Sequence, residues 1–200
     1  MTAKLPAPIT LTGRHVRLEP LGRDHLPDLF AAGGGDDLVW QWIPGGTPRT
    51  EQELGAVIDR RLAEIAAGTA VVLAVISLDT GRAIGMTGYY DANAEDELVE
   101  IGGTWYARSA WRTAVNTESK LLLLTHAFEE LGMGRVFWKT DHLNERSRNA
   151  VLRLGATFEG IHRRERRRAD GTWRDSVYFS MLADEWPAAR ARLAERLNRG

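Results

Sequence analysis

A long helix pattern between two strand patterns constrains the fold more than any other feature of the sequence. Apolar side chains recur along residues 117–131 at the spacing of a buried helical stripe: Leu121, Leu124, Phe128 and Leu131. Alternating stretches typical of strands lie on both sides, at residues 97–107 and 135–141. The chain therefore combines helices and strands around a core, and this helix belongs to the scaffold.

The remaining patterns predict the order β-α-α-β-β-β-α-β-α-β-β, followed by a final helix. The first strand is predicted over residues 9–21, and residues 38–50 are predicted to form a loop. Asn144 and Gly155 are the predicted cap and end of a later helix. Two adjacent glycines in the strand before the long helix predict a bulge or a close backbone approach. This order predicts an α+β domain with a mixed, mainly antiparallel sheet.

Composition and charge exclude several classes of protein. The 200 residues suffice for one domain, and 26 basic against 27 acidic side chains leave a formal net charge of -1. We therefore do not expect general binding to nucleic acid. The chain has no cysteine, which excludes disulfides and thiolate chemistry and fits a reducing compartment. No apolar run could span a bilayer and no signal peptide is evident, so we expect a cytoplasmic protein without membrane association.

The polar segment "RTAVNTE", residues 112–118, is a candidate anion site at the start of the long helix. Free backbone N–H groups and the positive end of the helix dipole attract anions there. Arg112 adds charge, and Asn116 and Thr117 add neutral donors. Alternatively, Asn116 or Thr117 only caps a core helix. The usual glycine-rich nucleotide motifs are absent, so a phosphate loop here would be of another kind.

Five consecutive segments resemble the GNAT acetyltransferase superfamily: "LVEIGGTWYA", "RTAVNTE", "KLLLLTHAFEELG", "RVFWKTD" and "NERSRNAVLRLGATFEG". The chain is similar, more narrowly, to the branch that contains the ribosomal-protein-alanine N-acetyltransferases. The most specific motif is formed by Asn144, Ser147, Leu154, Gly155, Glu159 and Gly160.

The resemblance covers nearly the whole chain, from about Ile9 to Trp186. It implies one α+β domain over residues 9–186, with residues 187–200 as a C-terminal helix or tail. The implied fold is GNAT-like, with a mixed, mainly antiparallel central sheet, helices on both faces and a V-shaped cofactor cleft.

The resemblance also implies that acetyl-CoA is the cosubstrate and lies between two splayed strands. Its pantetheine arm would pair with the backbone of Trp105, Tyr106 and Ala107. Its pyrophosphate would lie on the loop of Arg112, Thr113, Ala114, Val115, Asn116 and Thr117. Val115 and Thr117 stand where the family pattern has small glycine-like residues. Because of this departure, an alternative stays open: the cofactor pocket is degenerate, and the chain is a non-catalytic CoA-binding or interaction module.

Acetyl transfer to an amine requires a base, and Glu100 is the best candidate because strand alternation directs it away from the face of Val99 and Ile101. Alternatively, Glu100 faces solvent or forms a salt bridge. The resemblance implies that Asn144 hydrogen-bonds the CoA arm, and that Ser147 protonates the departing thiolate. Ser147 could instead bond to the backbone one turn earlier. No metal-ligand spacing occurs, so we expect no metal. No serine lies in a nucleophile elbow, so we expect direct transfer in a ternary complex and not an acyl-enzyme.

The resemblance implies that the acceptor amine, a protein N-terminus or a small molecule, enters between the early helices and the last hairpin. Trp40, Trp42 and Tyr89 are candidate walls of its pocket, and core packing is the alternative for the tryptophans. The segment "HRRERRR", residues 162–168, is either a solvated hairpin or a contact for RNA or an acidic peptide. Pairing of exposed strands could give a homodimer.

Overall fold

The computed structural model describes residues 2–168 and 170–199. Its eight strands form one sheet in the order β1-β2-β3-β4-β5-β6-β8-β7. The strands are β1 Leu11–Thr12, β2 Val16–Pro20, β3 Ala70–Ser77, β4 Ala83–Asn93, β5 Leu98–Tyr106, β6 Arg135–Asp141, β7 Thr157–Arg167 and β8 Trp173–Leu182. The helices are α1 Leu26–Gly33, α2 Asp37–Trp40, α3 Glu51–Ala66, α4 Ala114–Thr125, α5 Glu145–Leu154 and α6 Trp186–Arg199. Strands β5 and β6 are parallel, and the other neighbours are antiparallel. The predicted mixed, mainly antiparallel α+β fold is confirmed.

Helices cover both faces of the sheet because successive side chains of β3 point to opposite sides. Leu73 packs in one core with Leu123 of α4 and Leu193 of α6. Ala74 packs in the other core with Leu54 of α3. The division between domain and tail at residue 186 stays a prediction. Helix α6 begins at that residue, and its side chains Trp186, Ala189 and Leu193 pack in the first core.

The first strand differs from its prediction because a turn divides residues 9–21 into β1 and β2. The carboxylate of Glu118, in the first part of α4, accepts hydrogen bonds from the backbone N–H groups of Arg14, His15 and Val16 at 2.8, 2.6 and 2.8 Å. These donors would otherwise be unsatisfied beside a buried strand. A partner distant in sequence therefore stabilises the turn.

The start of α4 is also earlier than predicted, at Ala114. Its N-cap is Thr113, whose hydroxyl accepts a hydrogen bond from the N–H of Val115 at 3.3 Å. The prediction that Asn116 or Thr117 caps this helix is therefore wrong, because both lie inside its first turns. The helix continues into a π-helical turn at His126–Glu130.

The loop after α1 contains a short helix, α2, which was not predicted. Asp36 caps it by accepting from the N–H of Leu38 at 3.1 Å. The predicted ends of α5 are confirmed: Asn144 accepts from the N–H of Ser147 at 3.1 Å, and Gly155 has the left-handed φ of 99°. The last hairpin forms as predicted from β7 and β8, although Ala169 in its turn lies outside the described residues.

Strands β5 and β6 separate after a short parallel contact. Their ladder pairs are Leu98 with Arg135, Val99 with Val136, and Glu100 with Phe137. Strand β5 then continues to Tyr106, while β6 continues along β8 to Asp141. The result is a V-shaped opening between the two strands.

No helix in residues 2–168 and 170–199 combines the length and the apolar character that crossing a membrane requires.

Candidate functional site

A buried carboxylate lies at the point where β5 and β6 separate. Glu100 is 9% exposed, and its neighbours Val99 and Ile101 lie in the core on the other face. Its Oε2 atom is 2.7 Å from Nζ of Lys139 on β6. The same Nζ is 2.7 Å from Oδ2 of Asp91 on β4. Glu100 is therefore an inward-facing, ion-paired carboxylate, so its solvent-facing alternative is excluded.

The electrostatics of this cluster leave Glu100 more basic than an ordinary glutamate. Burial raises the pKa of Glu100, and the hydrogen bond and charge of Lys139 oppose that increase only in part. Burial acts to lower the pKa of Lys139, but the two carboxylates raise it overall. The hydrogen bond from Lys139 lowers the pKa of Asp91. Lys139 thus stays protonated while Glu100 can exchange a proton.

The paired glycines of β5 form the predicted bulge beside this carboxylate. The ladder with β4 shifts register between Met86 and Gly88, opposite Trp105 and Gly102. A Cβ atom on Gly102 would lie 2.6 Å from Oε1 of Glu100. The chain therefore needs the small residue there, because the Glu100 side chain occupies the space that a larger residue would take.

The second glycine of the bulge makes room for Tyr90. Gly103 has a φ of 60°, and a Cβ atom there would lie 2.4 Å from the Tyr90 hydroxyl. That hydroxyl is buried and has no hydrogen-bond partner among residues 2–168 and 170–199. Burial raises the pKa of Tyr90 to about 12. Tyr90 therefore presents a neutral O–H group beside the bulge.

The end of β5 carries the three residues that were predicted to pair with the cofactor. Trp105 packs against Trp40 with ring centroids 5.0 Å apart, and Tyr106 lies in the opposite core. The N–H of Ala107 donates to Ile84 of β4 at 2.8 Å, and its carbonyl accepts from Ala110 at 3.0 Å. Ala107 therefore has no free N–H for a cofactor, and the pairing of the pantetheine arm with the backbone at the end of β5 stays a prediction.

The loop before α4 has its unusual backbone at Arg112. This exposed residue has a φ of 61°, in the left-handed region that favours glycine. Val115 and Thr117 lie within the helix, where no glycine is needed, and Thr117 is buried. The resemblance predicted glycine-like positions at Val115 and Thr117, but the left-handed backbone of this loop lies at Arg112. Ala114 and Asn116, both half-buried, complete the first turn.

The loop before α4 and the start of α5 meet in one pocket of about 270 Å³. We call it the helix-end pocket and define it by Trp42, Trp111, Asn144 and Arg146 among its lining residues. The guanidinium of Arg146 lies 3.5 Å from the centroid of the Trp111 ring. The predicted cofactor residue Asn144 thus lies near the predicted phosphate loop. Ser147 is half-buried and follows in the first turn of α5.

A second pocket of about 230 Å³ lies between the loop after α2 and the last hairpin. We call it the arginine pocket and define it by Trp40, Trp42, Asp141, Arg166 and Arg174 among its lining residues. Both predicted tryptophans therefore line it, although Trp40 is also a core residue, 2% exposed. Because Trp42 lines both pockets, the two are adjacent.

Tyr89 does not belong to either pocket. It is fully buried, and its hydroxyl donates to the carbonyl of Leu123 in α4 at 2.6 Å and lies 3.1 Å from Nδ1 of His126. The prediction that Tyr89 walls the acceptor pocket is therefore wrong, because its side chain points into the α4 core. Tyr89 and Tyr90 are consecutive residues of β4 and therefore point to opposite faces of the sheet.

The sequence reasoning missed Lys139, Asp91 and the role of Lys120. Lys120 is buried, and its Nζ donates to the hydroxyls of Thr87 at 3.0 Å and Thr104 at 2.7 Å. Burial lowers the pKa of Lys120 to about 7. The burial of Lys120 could have been predicted, because it lies directly before four leucines in the long helix. The contact of Lys139 with Glu100 could not, because it depends on the register of β5 and β6.

The family comparison matches most of the chain. The model described as "Acetyltransferase (GNAT) domain" matches residues 15–157. A curated relative, "Putative ribosomal N-acetyltransferase YdaF" of Bacillus subtilis (strain 168), is 33% identical over 106 residues. That match covers 53% of this chain and 57% of the relative, so the chain spans little more than half of its length.

Solved structures match over nearly the full length. A GCN5-related N-acetyltransferase from Brucella melitensis has a TM-score of 0.92 and 29% identity, covering 98% of this chain and 88% of that one. A structure from T. thermophilus, described as an acetyltransferase, has a TM-score of 0.87 and 37% identity, covering 96% of this chain and 98% of that one.

Proposed function

Because this chain belongs to the GNAT acetyltransferase family and is an acyltransferase, we propose that it transfers an acetyl group from acetyl-CoA to a primary amine. The acceptor is a protein N-terminus or a small-molecule amine, and the transfer is direct, in a ternary complex. The name of the YdaF relative favours a protein acceptor. One observation carries the proposal: a buried, ion-paired glutamate lies where β5 and β6 separate, against a double-glycine bulge.

The residues of the cleft fit an acyl-CoA. Strand β5 has no ladder pair with β6 beyond Glu100, so its edge toward Tyr106 can pair with an extended pantetheine arm. The start of α4 and Arg112 suit a pyrophosphate. Asn144 lines the helix-end pocket nearby, where it can contact the arm while it caps α5. Acetyl-CoA, when bound, supplies the acetyl group as a thioester, whose carbon–sulfur bond is exchanged for a carbon–nitrogen bond.

The roles of the protein groups follow from their chemistry. Glu100 accepts a proton from the ammonium group of the acceptor, directly or through water, and so frees the nitrogen lone pair. Backbone N–H groups at the Gly102–Gly103 bulge donate to the carbonyl oxygen as it gains charge. Ser147 donates a proton to the sulfur, and the Tyr90 hydroxyl is a second candidate for that step because it is buried, neutral and unpartnered within the described residues.

The test is an acceptor screen that follows release of the CoA thiol from acetyl-CoA, with amines and peptides of free N-terminus. We expect Glu100→Gln to lower kcat by about 10²- to 10⁴-fold, the usual contribution of a general base. Glu95→Gln, at an exposed site just before β5, is the matched control and should keep full activity. Binding of acetyl-CoA without acetylation of any amine would favour a non-catalytic CoA-binding module instead.

A further inference from the structure

We propose that the arginine pocket binds a carboxylate of the acceptor, so that the preferred acceptor is a peptide N-terminus followed by acidic residues. This inference rests on the proposed function and names its substrate class. The pocket lies on the same face of the sheet as Glu100, because Lys139 and Asp141 are alternate residues of β6. Two residues of strand span roughly 7 Å. An amine beside Glu100 and an acidic side chain in the pocket can therefore belong to one extended peptide.

The charges that line the pocket do not balance. Asp141 is already paired with Arg168, through contacts of 2.6 and 3.0 Å. Asp37 is paired with Arg49 at 2.5 Å. In the described part of the chain, Arg166 and Arg174 form no ion pair with any carboxylate. The lining holds four guanidinium groups against two carboxylates, so positive charge is in excess. The carboxylates of Asp141, Glu165 and Glu100 offset the charge of Arg174 only in part.

Two of these guanidinium groups come from directly opposed positions. Arg166 of β7 pairs in register with Arg174 of β8, so both side chains lie on the same face. Like charges opposite each other on neighbouring strands are destabilising. Burial lowers the pKa of Arg174, the charge of Arg166 lowers it further, and the nearby carboxylates oppose this decrease only in part. A bound anion would relieve this repulsion.

The shape of the pocket favours a peptide over a solvated surface. Arg174 is half-buried, and its Nε donates to the hydroxyl of Ser176 at 2.8 Å, which holds the guanidinium in place. Trp42 and Ile43 also line the pocket, from the loop after α2. A planar guanidinium held in this way can bind a carboxylate through two parallel hydrogen bonds. The pocket is a compact recess between the loop after α2 and the last hairpin, whereas a nucleic acid backbone requires an extended track.

The experiment compares acetylation of three peptides that share an N-terminal serine and continue with glutamates, glutamines or lysines. Free glutamate is a fourth substrate, which separates a peptide from an amino acid as the source of the carboxylate. We expect the wild-type KM for the glutamate peptide to be at least about tenfold lower than for the glutamine peptide. Arg174→Gln should raise the KM for the glutamate peptide by about tenfold or more, and leave that for the glutamine peptide within about twofold.

Arg163→Gln is the matched control, because it removes the same charge from an exposed site of β7 that does not line the pocket. It should change neither KM. Equal KM values for the glutamate and glutamine peptides in the wild type would overturn the inference and leave the proposed function intact. Preference for free glutamate over the peptides would overturn the peptide assignment. A third outcome would assign the pocket to RNA: the wild type binds single-stranded RNA in a salt-sensitive way, and Arg174→Gln abolishes this binding but leaves the KM for every peptide unchanged. Absence of acetylation with every substrate would overturn both proposals.

Discussion

Nζ of Lys139 lies 2.7 Å from Oε2 of Glu100, and this contact joins β5 to β6 just beyond their last ladder pair, Glu100 with Phe137. The same ammonium group also binds Asp91 of β4. One lysine thus connects three neighbouring strands below the opening. It also limits the increase that burial causes in the pKa of Glu100, the carboxylate that we propose as the catalytic base, because a positive neighbour favours the ionised form.

Lys139→Met should shift the pH dependence of kcat/KM. Glu100 acts as a base only when ionised, so activity falls as the pH falls through its pKa. Loss of the lysine charge removes the contribution that lowers this pKa, and burial then raises it further. The acid limb of the profile should therefore move to higher pH, and activity at neutral pH should decrease.

The control for that experiment is Lys139→Arg, which keeps the positive charge and should retain most of the wild-type profile. A Lys139→Met enzyme with the wild-type acid limb would show that Glu100 is not the group that titrates in the reaction.

Gly103→Ala should destabilise the fold by more than an ordinary substitution at a left-handed glycine. The φ of 60° strains any larger residue, and the new Cβ atom would also lie 2.4 Å from the Tyr90 hydroxyl. Gly81 is a matched control, since its φ is 69° and nothing lies within 4 Å of the position that a Cβ atom would take there. We expect Gly81→Ala to cost about 1 kcal/mol and Gly103→Ala about 1 to 3 kcal/mol more, measured by urea unfolding.

The double variant Gly103→Ala with Tyr90→Phe identifies the cause of the excess. Removing the hydroxyl should recover part of the lost stability, because the closest contact of the new methyl group is with that oxygen. Equal losses for Gly81→Ala and Gly103→Ala would contradict the close approach of Tyr90 to the bulge.

Lys120 should make stability depend on pH above neutrality. Burial lowers the pKa of Lys120 to about 7, whereas the unfolded chain keeps the ordinary value of 10.5. Between these values the unfolded state binds more protons than the folded state, so the free energy of unfolding rises with pH. The increase between about pH 7 and pH 9.5 should be on the order of 3 kcal/mol.

Lys120→Met provides the comparison, because the slope due to this residue disappears while the hydroxyls of Thr87 and Thr104 keep their mutual hydrogen bond of 2.8 Å. Urea unfolding of both proteins at the two pH values measures the difference. Identical pH dependence in wild type and variant would mean that Lys120 stays protonated in the folded protein.

Arg112→Gly should change stability and cofactor affinity in opposite directions. Glycine relieves the left-handed backbone at this exposed position, which should raise the free energy of unfolding by up to about 1 kcal/mol. Loss of the guanidinium should weaken the binding of acetyl-CoA several-fold, about 1 kcal/mol for a solvent-exposed phosphate contact. Thermal unfolding and calorimetric titration measure the two effects separately.

Arg112→Lys keeps the charge and should gain no stability, so it shows which property of the arginine matters. An Arg112→Gly protein that binds acetyl-CoA as tightly as the wild type would remove Arg112 from the proposed cofactor site.

Features that depend on a few neighbouring residues were predictable from the sequence. Strand β6 has the predicted bounds, and α5 begins after Asn144 and ends at Gly155, because its cap and its left-handed end are local signals. The start of α4 was not predictable in the same way. Several residues between 113 and 117 could serve as caps by composition, and Thr113 is the cap in the structure, where Glu118 of the same helix binds the turn at Arg14.

Local periodicity and the resemblance to the family were enough to predict the α+β class, the helix stripe, the glycine bulge and the orientation of Glu100. The folded arrangement was needed to find that Lys139 pairs with Glu100, that Tyr89 belongs to the core and that Arg166 faces Arg174. These relationships depend on strand register between segments distant in the chain. Register is set by the packing of the whole sheet, and no local pattern encodes it.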